Sequence, residues 1–233
     1  MRNVIITGGS RGIGRECVKR FAALGDRVIF TYLKSESNAL ELAAETGAIP
    51  IRGGDINLLK RTAEKFGAVD VLINNAGIAQ QKLLCDITDE DWDNMFSVNI
   101  RDMFLTVRAF YGDFVHNKSG KIVNISSMWG ITGASCEVHY SASKAAVIGF
   151  TRALAKELGP SGVNVNCIAP GVIDTDMNAH LAAEEKEELA AETPLGRLGT
   201  PAEVAAAAEF LCSDGANFIT GQVLTCDGGF IGI

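Results

Sequence analysis

The sequence predicts a doubly wound α/β fold, in which helices cover both faces of a mainly parallel, seven-stranded sheet. Two observations support this prediction. Short apolar runs rich in β-branched residues alternate with amphipathic segments of helix length, and a glycine-rich turn directly follows the first of these runs. Strands that are buried on both faces and separated by helices are typical of parallel sheets with right-handed crossovers.

The elements follow one another along the chain, and no repeat or low-complexity linker divides them. The strands are expected at the sequences NVIIT, RVIFTY, AIPIR, VDVLINN, KIVNIS, VNVNCIAP and QVLTCDGG. The helices are expected over residues 13–24, 36–45, 57–66, 89–117, 139–158 and 201–212. A further segment, 179–194, interrupts the alternation and is either a surface helix or a mobile lid over a pocket at the strand ends.

Composition limits both the size and the class of the protein. With 233 residues and 47% hydrophobic side chains, the chain 1–233 is expected to form a single domain. A formal net charge of −7 argues against nucleic acid or an anionic membrane as the main partner. The absence of an apolar leader and of a membrane-length apolar run favours the cytoplasm. Six cysteines without a C-x-x-C motif and three separated histidines predict neither a metal site nor a disulfide framework.

The sequence TGGSRGIG, between the first strand and the first helix, is the pattern of a Rossmann-type dinucleotide site. It places Gly8, Gly12 and Gly14 at the turn. Glycine lets the backbone turn tightly and contact a pyrophosphate, which then meets the N–H groups and the positive dipole end of the helix. We therefore expect a dinucleotide cofactor to bind at this turn.

The residues after the second strand, TYLKS, favour NADP(H) over NAD(H). No acid that would bind the ribose 2′-hydroxyl occurs before Glu36, whereas Lys34 lies near the expected place and Arg11 projects from the glycine-rich turn. Two cations near one ribose suit a dianionic 2′-phosphate. The alternative is that Lys34 is a solvated loop lysine.

Two more loops are expected at the same edge of the sheet. Asp55 follows the third strand and either accepts a hydrogen bond from the adenine amino group or caps the next helix. The sequence NNAG follows the fourth strand, and its small Ala76 and Gly77 would allow close approach of the adenosine ribose. Both loops are therefore candidate cofactor contacts.

The sequence HYSASK places a phenol and an ammonium one turn apart on the same face of a predicted helix, as Tyr140 and Lys144. A nearby cation favours phenolate, so Lys144 is expected to lower the tyrosine pKa from its usual value of about 10. Tyr140 would then serve as a general acid and base. Ser127 ends the fifth strand and is expected to hold a substrate oxygen beside Tyr140.

Seven motifs, in order and spacing, resemble the short-chain dehydrogenase/reductase family over nearly the whole chain. They are TGGSRGIG, NNAG, Asn99 in FSVNI, Ser127 in NISS, YSASK, PGVIDT and TGQVLTCDGG. The resemblance implies that Tyr140 is the general acid/base and that Ser127 orients the carbonyl. It also implies that Lys144 lowers the tyrosine pKa and holds the nicotinamide ribose, while Asn99 supports a water relay to Lys144.

The same resemblance implies a cofactor contact set and a homotetramer. The PGVIDT segment would lie along the nicotinamide carboxamide, with Val172 donating and accepting through its backbone and Thr175 through its hydroxyl. The expected NADP(H) contacts are Gly8, Ser10, Arg11, Gly12, Ile13, Gly14, Lys34, Ser35, Asp55, Ile56, Asn75, Ala76, Gly77, Tyr140, Lys144, Pro170, Gly171, Val172, Ile173 and Thr175.

The chain most resembles 3-oxoacyl-[acyl-carrier-protein] reductases, which use NADPH to reduce a β-keto thioester in fatty-acid synthesis. That group often presents basic residues to an acidic carrier protein. The segment 159–164 has no basic residue, and only Lys118 and Lys121 stand near the other candidate docking surface. The sequence therefore leaves carrier docking in doubt.

A second resemblance points to a different substrate. The run SSMWGITGASCEVHYSASK, with DTDMNAH, is similar to a smaller set of Gram-positive reductases that act on a 5-aminopentanone group attached to a lysine of elongation factor P. Glu137 lies three residues before Tyr140 and could pair with a substrate ammonium. The alternative is an exposed loop glutamate or a charge at a helix N-terminus.

A different class of function is a dinucleotide-sensing protein that kept the fold and lost its chemistry. Such a protein would be expected to lose parts of its catalytic set. The residues Asn99, Ser127, Tyr140 and Lys144 are all present, so the sequence favours an enzyme.

Overall fold

Seven strands form one sheet in the computed structural model, which describes residues 1–179 and 181–231. The strands are β1 (Asn3–Ile6), β2 (Arg27–Tyr32), β3 (Ile49–Arg52), β4 (Val71–Asn74), β5 (Gly120–Ile125), β6 (Val163–Pro170) and β7 (Val223–Cys226). Their order is β3-β2-β1-β4-β5-β6-β7, and every neighbouring pair is parallel. The predicted doubly wound sheet is confirmed, and it is wholly rather than mainly parallel.

Helices connect the strands as predicted. The α-helices are α1 (Gly12–Ala23), α2 (Glu36–Thr46), α3 (Ile56–Glu64), α4 (Asp89–Phe96), α5 (Asp102–Asn117), α6 (Trp129–Thr132), α7 (Val138–Leu158), α8 (Ala183–Glu192) and α9 (Pro201–Leu211). Short 3₁₀ turns cover Leu84–Asp86, Gly159–Ser161, Asp176–Asn178 and Asp214–Ala216. Within residues 1–179 and 181–231, no helix has the length and apolar character needed to cross a membrane.

The two faces of the sheet are covered by different sets of helices. Val4 and Ile6 of β1 pack with buried residues of α1, α2 and α9. Ile5 points to the opposite face and packs with buried residues of α3, α5 and α7. Side chains alternate between the faces of a strand, so burial on both faces explains why the strands read as continuous apolar runs.

The predicted helix over 89–117 is interrupted in the structure. The chain forms α4, then a π-helical turn over Ser97–Arg101, and then α5. Thr88 caps α4 in a capping box with Asp91, which fixes where that helix begins. Asn99 lies in the wider π-helical turn, an irregularity that often marks a functional site.

The segment predicted as a surface helix or a lid contains α8. Glu185 accepts a hydrogen bond of 2.7 Å from the Ala182 N–H at the start of this helix. Lys186 pairs with Asp174 at 3.3 Å, which ties α8 to the segment after β6. Within 179–194, residue 180 lies outside the described residues, and the mobility of the segment stays a prediction.

Candidate active site

A cleft of about 420 Å³ opens at the carboxyl ends of the central strands. Residues from the segments 75–81, 125–129, 137–144 and 170–189 line this cleft, together with Ile13 of α1. Loops at the carboxyl ends of parallel strands are where ligands bind in open α/β sheets. The position of the cleft therefore agrees with the position expected from the sequence.

The glycine-rich turn has the shape that a pyrophosphate requires. Gly8 and Gly12 have φ values of +67° and +53°, which glycine adopts without strain. A side chain at Gly14 would strike the Gly8 carbonyl oxygen and would lie 2.5 Å from Asn75 Nδ2. Asn75 Nδ2 in turn donates to the carbonyl oxygens of Thr7 and Gly8, at 3.1 and 3.0 Å. The asparagine thus joins the loop after β4 to the turn.

The N-terminus of α1 is suited to an anion. No side chain caps this helix, and its first turn contains no acidic residue. Its first N–H groups and the positive end of the helix dipole therefore face the turn without an internal anionic partner. The protein groups fit the phosphates of a dinucleotide, and Gly8, Gly12 and Gly14 would hold them.

Some of the predicted adenosine contacts belong to the start of helix α3, and others are exposed cations. Asp55 caps α3 by accepting from the N–H groups of Asn57 and Leu58, at 2.9 and 3.0 Å. The structure thus shows the capping role, and Ile56 is the first residue of that helix. Arg11 and Lys34 are exposed, and within the described chain neither forms an ion pair. Their guanidinium and ammonium groups therefore stay free to meet a phosphate.

Ser127 and Tyr140 meet in the floor of the cleft. Their exposed fractions are 7% and 8%, and Ser127 lies close enough to the phenol to act on its pKa. Burial raises the pKa of Tyr140 to about 12, the hydrogen bond from Ser127 opposes this rise, and the charge of Glu137 adds to it. A buried phenol therefore keeps its proton at neutral pH, because the charged phenolate loses its hydration.

Lys144 is buried beside Tyr140, and a backbone carbonyl holds its ammonium group. Its Nζ donates a 3.0 Å hydrogen bond to the Ile125 carbonyl oxygen and lies 5.8 Å from the centre of the Tyr140 ring. Burial lowers the pKa of Lys144 to about 8. Burial raises the pKa of Tyr140 in the protein alone, and the expectation that Lys144 lowers this pKa stays a prediction.

Asn99 is 2% exposed and its amide is held by protein groups. Its Oδ1 accepts from the Ile78 N–H at 2.8 Å, and its Nδ2 donates to the Ile78 carbonyl at 3.0 Å and to Ser143 Oγ at 2.9 Å. Asn99 Oδ1 and Lys144 Nζ both lie 3.2 Å from the place that a side chain at Gly77 would take. Asn99 is therefore near Lys144, as expected, and it also fixes the loop after β4.

The PGVIDT segment lines the cleft through Pro170, Gly171, Val172, Ile173 and Thr175. The Val172 carbonyl already accepts a 3.0 Å hydrogen bond from the Gly199 N–H. Thr175 Oγ1 is 3.4 Å from the Ile173 carbonyl oxygen, at the long end of hydrogen-bond range. The backbone of Val172 is thus partly committed within the protein, whereas the Thr175 hydroxyl is weakly held.

Two walls of the cleft differ in chemistry. The polar wall consists of Gln80, Gln81 and Glu137, and Gln81 Nε2 lies 3.4 Å from Glu137 Oε1. The apolar wall contains Trp129, Met177, Leu181 and Leu189.

Phe230 contacts Trp129 of the apolar wall. Its ring meets the Trp129 ring edge-on, with centroids 5.8 Å apart. No periodic pattern in the sequence predicts these two walls, because they are built from loops after different strands. Only the position of Glu137 beside Tyr140 was noted from the sequence.

Lys118 and Lys121 lie far from the cleft mouth. Lys121 occupies the amino end of β5, and the Lys118 carbonyl lies beside Gly162 at the amino end of β6. Lys121 Nζ also donates to Asn164 and Asn217, at 2.8 and 2.6 Å. Because the cleft opens at the carboxyl ends of the strands, these two lysines cannot border it.

Within the described residues, no cluster of three or more His, Cys, Asp or Glu side chains is arranged to hold a metal ion.

Comparison with known proteins places this geometry among reductases. The family model described as "Enoyl-(Acyl carrier protein) reductase" matches residues 8–231. The chain is 40% identical to 3-oxoacyl-[acyl-carrier-protein] reductase FabG of Chlamydia muridarum, over 97% of this chain and 95% of that protein. A crystal structure of 3-oxoacyl-[acyl-carrier protein] reductase from Brucella melitensis superposes with a TM-score of 0.92, at 36% identity, over 99% of this chain and 91% of that chain.

A relative with a different substrate is almost equally similar. The BbsD subunit of (2S)-[(R)-hydroxy(phenyl)methyl]succinyl-CoA dehydrogenase from Thauera aromatica is 38% identical, over 98% of this chain and 96% of that protein. Overall identity therefore does not select the substrate.

Proposed function

Because the chain belongs to the short-chain dehydrogenase/reductase family, we propose that it is an NADPH-dependent reductase that transfers hydride to a ketone. The observation that carries this proposal is the buried pair of Ser127 and Tyr140 beside the Lys144 ammonium, in a cleft that is also lined by Ile13 of the glycine-rich sequence TGGSRGIG. The proposal includes the single-domain organisation and cytoplasmic location that the sequence predicts.

The protein groups in this mechanism bind, orient and protonate the substrate. NADPH, when bound, supplies the hydride that attacks the carbonyl carbon. Ser127 donates a hydrogen bond that fixes the carbonyl oxygen beside the phenol. Tyr140 keeps its proton at neutral pH because its pKa is raised to about 12, and it gives that proton to the oxygen as negative charge develops there.

Lys144 acts after the proton has left Tyr140. Its ammonium lies 5.8 Å from the centre of the Tyr140 ring, and opposite charges in a buried site attract more strongly than in water. The same group would hold the ribose next to the nicotinamide. Asn99 keeps the Ile78 backbone and Ser143 in place around both side chains.

Replacement of Tyr140 tests the proposal. We expect Tyr140→Phe to lower the rate of ketone reduction by about 10²–10⁴-fold, the usual size of a lost general acid, with NADPH binding retained. Tyr111→Phe is the matched control, because Tyr111 lies on α5 outside the cleft. NADPH oxidation measures the rate and fluorescence titration measures binding. Full activity in Tyr140→Phe, or a wild type inert toward every ketone tried, would refute the proposal.

The charges near the expected ribose favour NADPH over NADH. Arg11 and Lys34 are exposed cations near the expected ribose, and no acid occurs between β2 and Glu36. We expect tighter binding of NADPH than of NADH, and we expect Arg11→Ala and Lys34→Ala to reduce that difference. Equal affinities of the wild type for the two cofactors would contradict this assignment.

The first substrate candidate is a 3-oxoacyl thioester presented by a carrier protein. Two relatives bear that substrate in their names. The apolar wall, with Trp129, Met177 and Leu189, suits a short acyl arm because it buries apolar surface on binding. The protein is proposed to work as a homotetramer, which sedimentation equilibrium would test.

The second candidate is an amino ketone, such as the 5-aminopentanone modification of elongation factor P. Glu137 lines the cleft, where a carboxylate can pair with a substrate ammonium. Basic groups at the rim are neutralised, since Lys82 pairs with Asp91 and Lys186 with Asp174. Helix α8 carries five glutamates and one lysine, which is a poor surface for an acidic carrier.

A single comparison separates the two candidates. NADPH oxidation would be followed with an acetoacetyl thioester and with amino-ketone-modified elongation factor P, for the wild type and for Glu137→Gln. The amino-ketone hypothesis predicts that Glu137→Gln lowers the rate of NADPH oxidation only with the amino ketone, because only that substrate carries an ammonium. Equal effects of Glu137→Gln on both substrates would remove the argument for this reading.

A further inference from the structure

A buried histidine next to the reactive tyrosine is unused in the mechanism above. His139 is the second residue of α7 and is fully buried, with an exposed fraction of 0%. Its Nε2 lies 2.9 Å from Gln80 Oε1. Gln80 belongs to the loop after β4 and lines the polar wall of the cleft, so this contact joins the wall to the helix that carries Tyr140.

The orientation of the Gln80 amide fixes the tautomer of His139. Gln80 Nε2 donates to Asp91 Oδ1 at 2.9 Å, while Lys82 Nζ lies 2.6 Å from the other oxygen. Hydrogen bonds from Lys82, Gln80 and Thr88 hold the pKa of Asp91 well below its usual range, so Asp91 is a carboxylate and only accepts. Gln80 must therefore present its oxygen to His139, whose Nε2 carries the hydrogen.

The surroundings of the other ring nitrogen favour the same tautomer. Among the described residues, His139 Nδ1 is buried and has no hydrogen-bond partner. A proton there would lack an acceptor and would be costly to bury. The neutral Nε2–H form is thus the one that this environment accepts.

The same loop is attached at two further points to the residues just before α7. The Lys82 N–H donates to the Cys136 carbonyl at 2.7 Å, and Gln81 Nε2 lies 3.4 Å from Glu137 Oε1. These contacts place Gln81 and Glu137 side by side at the cleft. The contact between His139 and Gln80 is partly buried, and the His139 side chain itself is fully buried.

We propose that His139 is a positioning residue, whose Nε2–H holds Gln80 and thereby sets the polar wall at the distance needed to meet the polar arm of a ketone substrate. Other hydrogen bonds hold the Tyr140 backbone in place. Ser143 Oγ donates to the Tyr140 carbonyl at 2.7 Å, and Ser143 accepts from Asn99. Loss of the His139 hydrogen bond therefore acts on substrate binding rather than on proton transfer.

The kinetic part of this inference rests on the proposed ketone reduction, and a set of three variants tests it. His139→Leu removes the donor. His139→Gln places an amide donor where Nε2 stood, and His116→Gln is the matched control on the exposed end of α5. For the amino ketone, we expect His139→Leu to raise KM about tenfold with kcat within about twofold, the pattern of lost uniform binding. His139→Gln should restore KM to within about threefold of wild type.

Hydrogen exchange gives a readout that needs no activity. The backbone amides of residues 75–83 should exchange faster in His139→Leu, because the loop has lost a buried anchor. His139→Gln and His116→Gln should exchange like the wild type. Exchange unchanged in His139→Leu, or a fall in kcat without a rise in KM, would overturn the positioning role. The expected exchange pattern in a protein that reduces no ketone would support the positioning role and refute the proposed function instead.

Discussion

Burial changes the pKa values of Tyr140 and Lys144 in opposite directions for one physical reason. In each case the charged form loses hydration, so the pKa of the phenol rises to about 12 and that of the ammonium falls to about 8. The sequence placed the two groups one turn apart, but it could not show how deeply they are buried. The pairing was predictable, whereas the direction of the tyrosine shift was not.

The pKa of Lys144 makes cofactor binding depend on pH. We expect NADPH affinity to fall as the pH rises through about 8, because the neutral amine no longer attracts an anionic ligand. Fluorescence titrations on either side of that pH would measure the dissociation constant. Lys144→Met should lose this dependence, while Lys156→Met, at an exposed position on the same helix, should keep it. An affinity that is flat across this range in the wild type would contradict the expectation.

His139 makes the free energy of unfolding depend on pH. Burial lowers the pKa of His139 in the folded state, with Asp91 opposing this change and Lys82 adding to it. The unfolded state therefore binds the proton first, and stability is complete above about pH 6.5 and is lost as the pH falls below that value. Urea unfolding on both sides of that value should show a smaller loss in His139→Gln than in the wild type. An equal loss in both proteins would show that His139 is not the titrating group.

At the scale of elements, the sequence predicted most helices and strands but missed two irregular ones. The long amphipathic run over 89–117 concealed the π-helical turn at Ser97–Arg101, because five residues are too few to show a separate hydrophobic period. The short helix α6 was also missed. Four residues are too few for a period to appear, and α6 is held by packing against α7.

Gly130 sets the distance between these two helices. A side chain at this position would lie 2.7 Å from the Lys144 carbonyl carbon and 2.8 Å from its oxygen, so Gly130→Ala must push α6 away from α7. We expect a loss of about 1–3 kcal/mol in the free energy of unfolding, as for other overpacked sites, and lower ketone reduction because Ser127 moves with α6. Urea unfolding and NADPH oxidation would measure the two effects.

Gly149 provides the control for Gly130. It lies in α7, and a side chain there would contact nothing within 4 Å. Gly149→Ala should therefore stabilise the protein by about 0.5–1 kcal/mol, since alanine favours a helix. Equal effects of the two substitutions would mean that the close contact with Lys144 does not constrain α6.

For the whole molecule, the parallel sheet separates two chemically different edges. The glycine-rich turn, the NNAG loop, Ser127 and the PGVIDT segment lie beyond the carboxyl ends of the strands, and the sequence predicted their meeting because each follows a strand directly. The contacts of His139 and the location of Lys118 could not be predicted in this way. They depend on how loops distant in the sequence pack together, and no periodic pattern reports that packing.

The separation of the edges yields a prediction about carrier docking. We expect Lys118→Ala to leave KM for a carrier-bound thioester within about twofold of wild type, because Lys118 lies at the amino edge and surface charges beyond a Debye length of about 10 Å are screened. Steady-state kinetics with carrier-bound and free thioesters would measure the ratio. A several-fold increase for the carrier-bound substrate alone would mean that the carrier docks on the far edge.

β1 lies between β2 and β4, and its register pairs Val4 with Val28 on one side and with Val71 on the other. A chain leaving the ribosome can form the first of these ladders early, but the second must wait until residues 71–74 have been synthesised. In that interval, one side of a strand with three buried apolar residues has no partner, and unpaired strand edges are prone to aggregate. Refolding from denaturant is therefore expected to be slow and to give lower yields at higher protein concentration.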